Sequence, residues 1–436
     1  MLTKKLSQFS LRIFLWLILP LICVEILMIV LEPYLFKGLY EYDPDLGFRV
    51  RAYYPIDQGT ITNKFGFNDD DYPLQKTPGI YKILVVGDSF GWAGGREGNY
   101  TAILERQLEN HYGYHRIDVI NAGYPMTQTA EQLVMLKKYG LQYHPDLVIL
   151  GFFVGNDFID GNPNRKRIVV NDLYIDIDKR REHIILGYPI VFQSRLLLYV
   201  KQKYKIFTEL RKAERVKLSG SLSQEERGPL SEGTFLDLER AQLEFFNINS
   251  ARKGRFQKNI NYILQSIAEM DGLLKSRNIK FIIAIYPDVF QINKNLLKVI
   301  FERFRLRMED YDLDLAQNIL KSFLQSKDIS YIDLTDRFRS EGQKNDLYVL
   351  RDSHWNRLGN QLAANILFES LVKRLDNVSS LQYSKILLPA RNRHAEKRVM
   401  PQWHSHGTRS RLSYGGRKMN LFFRVSPCFH AGTVEG

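Results

Sequence analysis

Five short runs of β-branched and aliphatic residues, separated by longer amphipathic segments, constrain the fold of this 436-residue chain more than any other feature. Each run is mostly apolar, as strands are when both faces of their sheet are covered. The runs occupy residues 82–86, 117–120, 147–150, 281–285 and 331–334. Their alternation with helical segments predicts an α/β fold with a central parallel sheet.

The segments between the runs carry apolar residues at helical spacing. In residues 256–276, for example, Ile260, Ile263 and Ile267 recur at intervals of three or four, which places them on one face of a helix. Further helices are predicted at residues 102–110, 128–139, 315–324 and 358–375. We interpret these apolar stripes as the faces that cover the sheet.

Residues 13–31 are the most apolar stretch of the chain, with Glu25 as the single charged residue. The length of this stretch matches the thickness of a bilayer core and predicts a transmembrane helix. Three basic residues precede it and acidic residues follow it from Glu32 onward, so the positive-inside rule places the rest of the chain outside the cytoplasm. A cleaved signal peptide is the alternative, although the run is longer than an ordinary signal core and no cleavage site follows.

These features predict four regions and a single-pass protein of the inner (plasma) membrane, with its main domain on the outer or periplasmic side. The regions are a cytoplasmic N-terminus with the anchor (1–35), a juxtamembrane segment (36–79), the main domain (80–376) and a basic tail that we expect to be disordered (377–436). The main domain contains an insertion at about residues 160–278, too long for an ordinary crossover. Its basic amphipathic stretch, residues 194–218, is compatible with a plain surface insertion, and equally with a lid or a surface for membrane or acidic glycan.

The net charge of +13 does not indicate a nucleic-acid partner, because it is concentrated in two segments. Residues 381–436 carry ten Lys and Arg against two acidic residues, and residues 195–217 carry eight against two. The rest of the chain is close to neutral, so we expect no nucleic-acid binding. The two cysteines, Cys23 and Cys428, make no disulfide framework, and the chain lacks metal-site spacing, so we predict neither a metal nor a cofactor.

Polar and small residues follow the predicted strands at the points where the strands end. The groups are Gly87-Asp88-Ser89, Asn121-Ala122-Gly123, Gly155-Asn156-Asp157 and, just ahead of the last helix, Asp352-Ser353-His354. Ligands of open parallel sheets bind at the carboxyl ends of the strands, so these groups are expected to converge. Taken alone, each group also fits a helix cap or a turn. Only their joint occurrence favours an active site.

The four groups resemble the blocks of the SGNH, or GDSL, hydrolases, a family named for Ser, Gly, Asn and His in this order along the chain. The matching residues are Ser89 in block I, Gly123 in block II, Asn156 in block III, and Asp352 with His354 in block V. The resemblance covers about residues 80–376 and implies a three-layer, flavodoxin-like SGNH fold.

Each matched residue has a chemical task. A serine hydroxyl needs a base to remove its proton during attack, and the imidazole of His354 suits that task for Ser89. Asp352, two residues before the histidine, can bond Nδ1 and fix the tautomer. The resemblance implies an oxyanion hole made of the Ser89 N–H, the Gly123 N–H and the Asn156 side-chain amide. Trp355 and Asn356, which follow the histidine, are interpreted as packing and helix start.

The leading hypothesis is a membrane-anchored ester hydrolase that acts on acyl esters of lipid or O-acetylated carbohydrate through a Ser-His-Asp triad. An O-acyltransferase for exported polysaccharide is the first alternative, since the resemblance extends to SGNH domains that use a sugar hydroxyl in place of water. A catalytically idle glycan-binding subunit of an export assembly is the second. The intact Ser89, Asp352 and His354 argue against the idle domain.

Overall fold

The protein is described here from a computed structural model. The described residues are 14–35, 38–57, 60–170, 173–178, 183–185, 188–190, 194–200, 203–204 and 229–376. The predicted basic tail, residues 377–436, lies outside them, as do the N-terminal basic residues and most of the basic stretch 194–218.

The strands are β1 Tyr40–Glu41, β2 Arg49–Val50, β3 Pro55–Asp57, β4 Thr60–Ile61, β5 Tyr81–Gly87, β6 Ile117–Gly123, β7 Leu147–Phe153, β8 Arg165–Val170, β9 Leu173–Asp178, β10 His183–Ile185, β11 Tyr188–Ile190, β12 Lys280–Tyr286 and β13 Ser330–Asp333. Five of them form one sheet in the order β13-β12-β7-β5-β6, and all neighbours in it are parallel. These five are the predicted strands, so the prediction of a central parallel sheet is confirmed. The other strands pair in two-stranded antiparallel hairpins.

The helices are α1 Leu19–Leu35, α2 Gly95–Gly98, α3 Tyr100–Tyr112, α4 Thr129–Lys138, α5 Asp157–Asp160, α6 Glu232–Leu243, α7 Ile248–Arg252, α8 Gln257–Ser276, α9 Val289–Ile292, α10 Lys294–Phe304, α11 Leu315–Ser326, α12 Thr335–Glu341 and α13 Arg357–Leu375. Alternate side chains of the sheet enter two separate cores, as a pleated strand requires. The stripes of α4, α8 and α11 cover one face, and those of α3 and α13 cover the other. The result is the three-layer arrangement expected from the sequence.

The N-terminal apolar segment differs from its prediction. Residues 14–18 form a π-helix, and only the seventeen residues of α1 that follow it are α-helical. No helix within the described residues combines the length and the apolar character needed to cross a membrane. This finding does not support the predicted transmembrane helix at residues 13–31.

Glu25 meets a second element of the chain. Its carboxylate accepts hydrogen bonds from the Ser194 hydroxyl at 2.7 Å, from the Arg195 N–H and from the Leu196 N–H at 3.2 Å. These donors open the helical turn at residues 195–200, where N–H groups lack partners within the helix. The single charge of the apolar segment thus caps a neighbouring helix.

Two regions that the sequence treats as peripheral contribute to the core. In the segment between α1 and the sheet, Val50 and Phe67 are fully buried against the α4 face. At the end of the insertion, Leu243 and Phe246 of α6 and the turn after it are equally buried. The insertion therefore returns to the core before α8, and α6 supplies side chains close to the strand ends.

Candidate active site

Ser89 lies in a tight turn at the carboxyl end of β5. The strand ends at Gly87, and residues Ser89–Gly91 form one 3-10 turn. The Asp88 carboxylate caps this turn by accepting a hydrogen bond from the Phe90 N–H at 3.0 Å. Phe90 is buried while Ser89 is half-buried, so the turn presents the hydroxyl at the edge of the sheet.

The turn rests on the end of β6 through a contact between two glycines. A Cβ on Gly91 would lie 2.8 Å from the Cα of Gly123 and 2.7 Å from Asn121 Oδ1. Asn121 joins the two elements, because its Nδ2 donates to the Gly91 carbonyl at 2.7 Å and its Oδ1 accepts from the Gly123 N–H at 3.0 Å. Glycine at both positions lets the nucleophile turn approach β6 at backbone distance.

We expect Gly91→Ala to destabilise the folded protein by about 1–3 kcal/mol, because the added methyl group meets backbone that has no room to move. Gly98→Ala is the matched control, since a Cβ at Gly98 has no atom within 4 Å. Urea unfolding of both variants measures the difference. Equal stabilities would show that the contact between the turn and β6 is looser than described.

His354 and Asp352 lie on a short loop just before α13. Asn356 caps that helix by accepting hydrogen bonds from the Leu358 and Gly359 N–H groups, and Trp355 is fully buried. The interpretation of Trp355 and Asn356 as packing and helix start is thus confirmed. Both neighbours hold the backbone of His354, whose carbonyl accepts from the Val349 N–H at 2.9 Å.

The structure brings Ser89, His354 and Asp352 into one chain of hydrogen bonds. Ser89 Oγ lies 2.6 Å from His354 Nε2, and His354 Nδ1 lies 2.5 Å from Asp352 Oδ1. An ionised carboxylate only accepts hydrogen bonds, so Nδ1 carries the ring proton and Nε2 is left to accept the proton of Ser89. This is the arrangement that converts a serine hydroxyl into a nucleophile.

The electrostatics of the loop keep Asp352 ionised. Burial opposes its ionisation, but the positive form of His354 and hydrogen bonds from His354 outweigh burial, and the pKa of Asp352 lies below its ordinary value. Beneath the nucleophile the balance is reversed, since burial raises the pKa of Asp88 to about 6. Burial and the nearby Asp88 charge raise the pKa of Asp157 well above its ordinary value. Of these three carboxyl groups, only Asp352 has a lowered pKa, and it lies beside the imidazole.

Asn156 lies at the carboxyl end of β7, the neighbour of β5. The Phe153 N–H donates to Asp157 Oδ2 at 2.9 Å, which closes the turn, and Asn156 is the N-cap of α5 without a side-chain cap bond. Within the described residues, neither the Asn156 amide nor the Ser89 N–H has a hydrogen-bond acceptor. Both donors remain available at the same edge of the sheet.

Gly123 differs from its expected role. Its N–H is already donated to Asn121 Oδ1 at 3.0 Å, so it is not an open donor for an oxyanion in this structure. The glycine instead permits the close approach of the Ser89 turn. Of the three N–H groups predicted for the oxyanion hole, those of Ser89 and the Asn156 side chain have no acceptor within the described residues.

The second half of the domain matches a known protein family. Residues 245–401 match the family described as the SGNH hydrolase-like domain of the acetyltransferase AlgX. Residues 245–401 thus resemble an SGNH hydrolase-like domain. The matched segment contains Asp352 and His354, whereas Ser89, Gly123 and Asn156 precede it. No curated protein matches the chain at a significant level.

Several solved structures are similar to the chain. One is an acetyl xylan esterase, which is 15% identical over 66% of this chain and 99% of its own chain, with a TM-score of 0.35. A member of the lipolytic G-D-S-L family from Veillonella parvula is 11% identical over 67% and 99% of the two chains, with a TM-score of 0.34. An acetylxylan esterase from Geobacillus stearothermophilus is 12% identical over 69% and 96%, with a TM-score of 0.35. TM-scores this low assign no activity to the chain.

Three residues that lie near the site carry no functional signal in the sequence. Asn121 was noted only as the end of a strand, and the buried carboxyl groups of Glu239 and Asp288 were not noted at all. An acidic residue in a mixed helical segment is ordinarily predicted to be solvent-exposed, so the sequence does not indicate that Glu239 is buried. Among the described residues, no group of three His, Cys, Asp or Glu could hold a metal ion.

Proposed function

We propose that this chain is a serine ester hydrolase or acyltransferase that forms an acyl-enzyme at Ser89. The observation that carries the proposal is the hydrogen-bonded chain from Ser89 Oγ through His354 to Asp352 Oδ1. Its distances of 2.6 and 2.5 Å suit proton transfer during attack on an ester carbonyl. The proposed substrates are acyl esters of lipid or of O-acetylated carbohydrate.

In the first proposed step, Ser89 Oγ forms a bond to the acyl carbon while His354 Nε2 takes the hydroxyl proton. The tetrahedral intermediate then expels the alcohol, which receives that proton from His354. Asp352 holds the Nδ1 proton and stabilises the imidazolium in between. The products of this step are a free alcohol and an ester of Ser89.

In the second step, His354 removes a proton from the acceptor, which attacks the acyl carbon. The bond to Ser89 Oγ then breaks, and Oγ receives that proton from His354. Water as acceptor gives hydrolysis and a carboxylic acid, whereas a sugar hydroxyl gives a new ester. Hydrolysis is the leading proposal, since water needs no binding site of its own. Transfer to a sugar is the second candidate, because residues 245–401 match the domain of a protein named as an acetyltransferase.

The proposed acyl-enzyme is tested by incubating the protein with an aryl acetate and locating the label by peptide mass spectrometry. We expect one acetyl group on the peptide that contains Ser89. Ser266→Ala is the matched control and should keep the label on the Ser89 peptide. Ser266 is a buried serine on α8 whose hydroxyl donates to the Tyr262 carbonyl. Absence of the label from wild-type protein at every quench time would favour the idle glycan-binding domain.

The acceptor is tested by adding oligosaccharides to the acetylated enzyme and measuring released acetate against acetylated sugar. Acetate alone, at a rate independent of the sugar, supports the hydrolase. A saturable rise in acetylated sugar with a matching fall in acetate supports the transferase.

The Asn156 amide is proposed to stabilise the oxyanion, which exists only in the transition state. Removal of such a donor lowers turnover and leaves ground-state binding nearly unchanged. We therefore expect Asn156→Ala to reduce kcat by about 10²–10³-fold, some 3–4 kcal/mol, with KM little altered. Steady-state kinetics on an aryl acetate measures both constants, and Asn156→Asp should be at least as harmful because it adds negative charge. A raised KM with normal kcat would instead make Asn156 a substrate contact.

The proposed location is the outer face of the plasma membrane, and this proposal depends on the sequence. The apolar residues 13–31 and the change from basic to acidic residues across them support it. Fractionation of an expressing bacterium should place the protein with the membranes, and protease added to spheroplasts should cleave it. Recovery in the soluble cytoplasmic fraction would contradict this location.

A further inference from the structure

Two carboxyl groups meet in the interior beside the candidate site. Glu239 lies on α6 and Asp288 caps the N-terminus of α9, and both side chains are fully buried. Glu239 Oε2 and Asp288 Oδ2 are both buried without a hydrogen-bond donor among the described residues, and the two groups interact electrostatically. Neither forms an ion pair with a basic side chain of the described residues. The remaining titratable groups that face the pair are Asp352 and Tyr348.

The electrostatics of the pair favour a single shared proton. Burial and the charge of Asp288 raise the pKa of Glu239 well above its ordinary value, and burial raises the pKa of Asp288 to about 6. Two buried carboxyl groups in contact do not both ionise, so Glu239 keeps the proton and donates it to Asp288. A protonated carboxyl group is also a fixed hydrogen-bonding group.

One end of the pair holds the loop that carries His354. The Ser353 hydroxyl donates to Glu239 Oε1 at 3.0 Å, and Ser353 stands between Asp352 and His354 in the sequence. All three loop residues are buried, so the hydroxyl of Ser353 has no contact with bulk water that would replace this bond. The position of the imidazole is thus tied to α6.

The other end of the pair supports the turn that carries Asn156. Asp288 Oδ2 occupies the space where a side chain of the neighbouring Gly155 would be, so only glycine fits there. The Val154 N–H donates to the Tyr286 carbonyl at 3.1 Å, which joins the same turn to the end of β12. Asp288 follows that strand end by two residues.

We infer that Glu239 and Asp288 form a positioning pair, which holds the Asp352–His354 loop and the Asn156 turn in register with each other. The inference rests on the proposed function, because it assigns the pair to the same reaction. The pair touches no reacting atom and acts through Ser353 and Gly155. A displacement of a catalytic group by about 1 Å is enough to lower a rate 10²-fold.

The test compares two substitutions of Glu239. Glu239→Gln keeps an acceptor for Ser353 and a donor for Asp288, and we expect its kcat within about threefold of wild type. Glu239→Leu removes both bonds, and we expect a kcat about 10–100-fold lower with KM little changed. Gln242→Leu is the matched control, since Gln242 is also buried on α6 but has no bond to the loop.

A fluorophosphonate probe gives a second measurement that needs no knowledge of the acyl substrate. The probe labels Ser89 only when His354 activates it, so the labelling rate should fall in Glu239→Leu and stay near wild type in Glu239→Gln. If Glu239→Leu does not fold, Ser353→Ala removes the same bond with a small side chain and should slow labelling about tenfold. Normal labelling in the folded Glu239→Leu or Ser353→Ala protein would overturn the inference, as would equal defects in the Gln and Leu variants.

Failure of the proposed function is a different result, because wild-type Ser89 would then take no label at all. Stability provides a further check on the shared proton. Since the pKa of Glu239 is raised, the folded protein keeps a proton that the unfolded chain releases above the ordinary Glu pKa, and stability falls as pH rises. Glu239→Gln should weaken this decline in Tm as the pH rises above the ordinary Glu pKa, and an unchanged decline would contradict the protonated pair.

Discussion

Ser89→Ala should lower kcat on an aryl acetate by about 10⁴–10⁶-fold, because no other group in the site can form the ester intermediate. His354→Ala should cause a loss of the same order, since the hydroxyl of Ser89 is a poor nucleophile without the base 2.6 Å away. Residues that act as one unit are not additive, so the double variant should be no slower than either single one. Stopped assays on purified protein measure all three.

The control for the Ser89→Ala variant is a measurement of its stability. Ser89 is half-buried and its hydroxyl bonds only His354, so the alanine variant should unfold at nearly the same urea concentration as wild type. Activity retained by Ser89→Ala would remove the covalent mechanism. A multiplicative loss in the double variant would mean that Ser89 and His354 serve separate steps.

Asp352→Asn should lower kcat by about 10⁴-fold while leaving KM nearly unchanged. The carboxylate accepts the Nδ1 proton at 2.5 Å, and its lowered pKa keeps it ionised at neutral pH. An amide can present its NH₂ group to Nδ1, which favours the tautomer whose Nε2 carries the proton and cannot accept one from Ser89. The change is nearly isosteric, so the loss reports on protonation and not on packing.

Asp352→Ala is the comparison, and we expect a smaller loss because the ring is left free to adopt either tautomer. The pH dependence adds a check with a defined sign. Because the folded pKa of Asp352 is depressed, its stabilising contribution is present above the ordinary Asp pKa and is lost only as the pH falls through the lower folded value. Wild type should therefore lose stability in acid more steeply than Asp352→Asn.

Much of the fold follows from the sequence because strands buried on both faces have a simple pattern. Ile83, Val85 and Ile149 are all fully buried, and such positions leave no room for polar residues, so the five strands are visible as aliphatic runs. The convergence of Ser89 with His354 is predictable for a related reason, since parallel strands deliver their carboxyl ends to one edge. These are rules of topology that one chain displays by itself.

The rest depends on contacts that no local pattern encodes. The hydrogen bond from the Gly123 N–H to Asn121 Oδ1 depends on the rotamer of the Asn121 side chain. The sequence does not predict that rotamer, so it does not show that this N–H has an acceptor within the protein. Glu239 lies in a stretch that resembles any solvated helix, and only tertiary packing buries it. The apolar segment before residue 35 is a further case, because hydropathy gives its length but not the change from π-helix to α1.

The hydrogen bond between Ser89 and His354 joins residues 265 positions apart. One partner emerges with the first strand of the sheet and the other with the loop before its last helix, so nearly the whole domain is synthesised before the two can meet. Closing so long a loop costs conformational entropy. The burial of apolar residues in the sheet and between α3 and α13 offsets this free-energy cost. A nascent or partly folded chain consequently carries an inert serine. Reactivity at Ser89 is therefore expected to appear only after the domain has folded, and the proposed ester chemistry would begin only at that point.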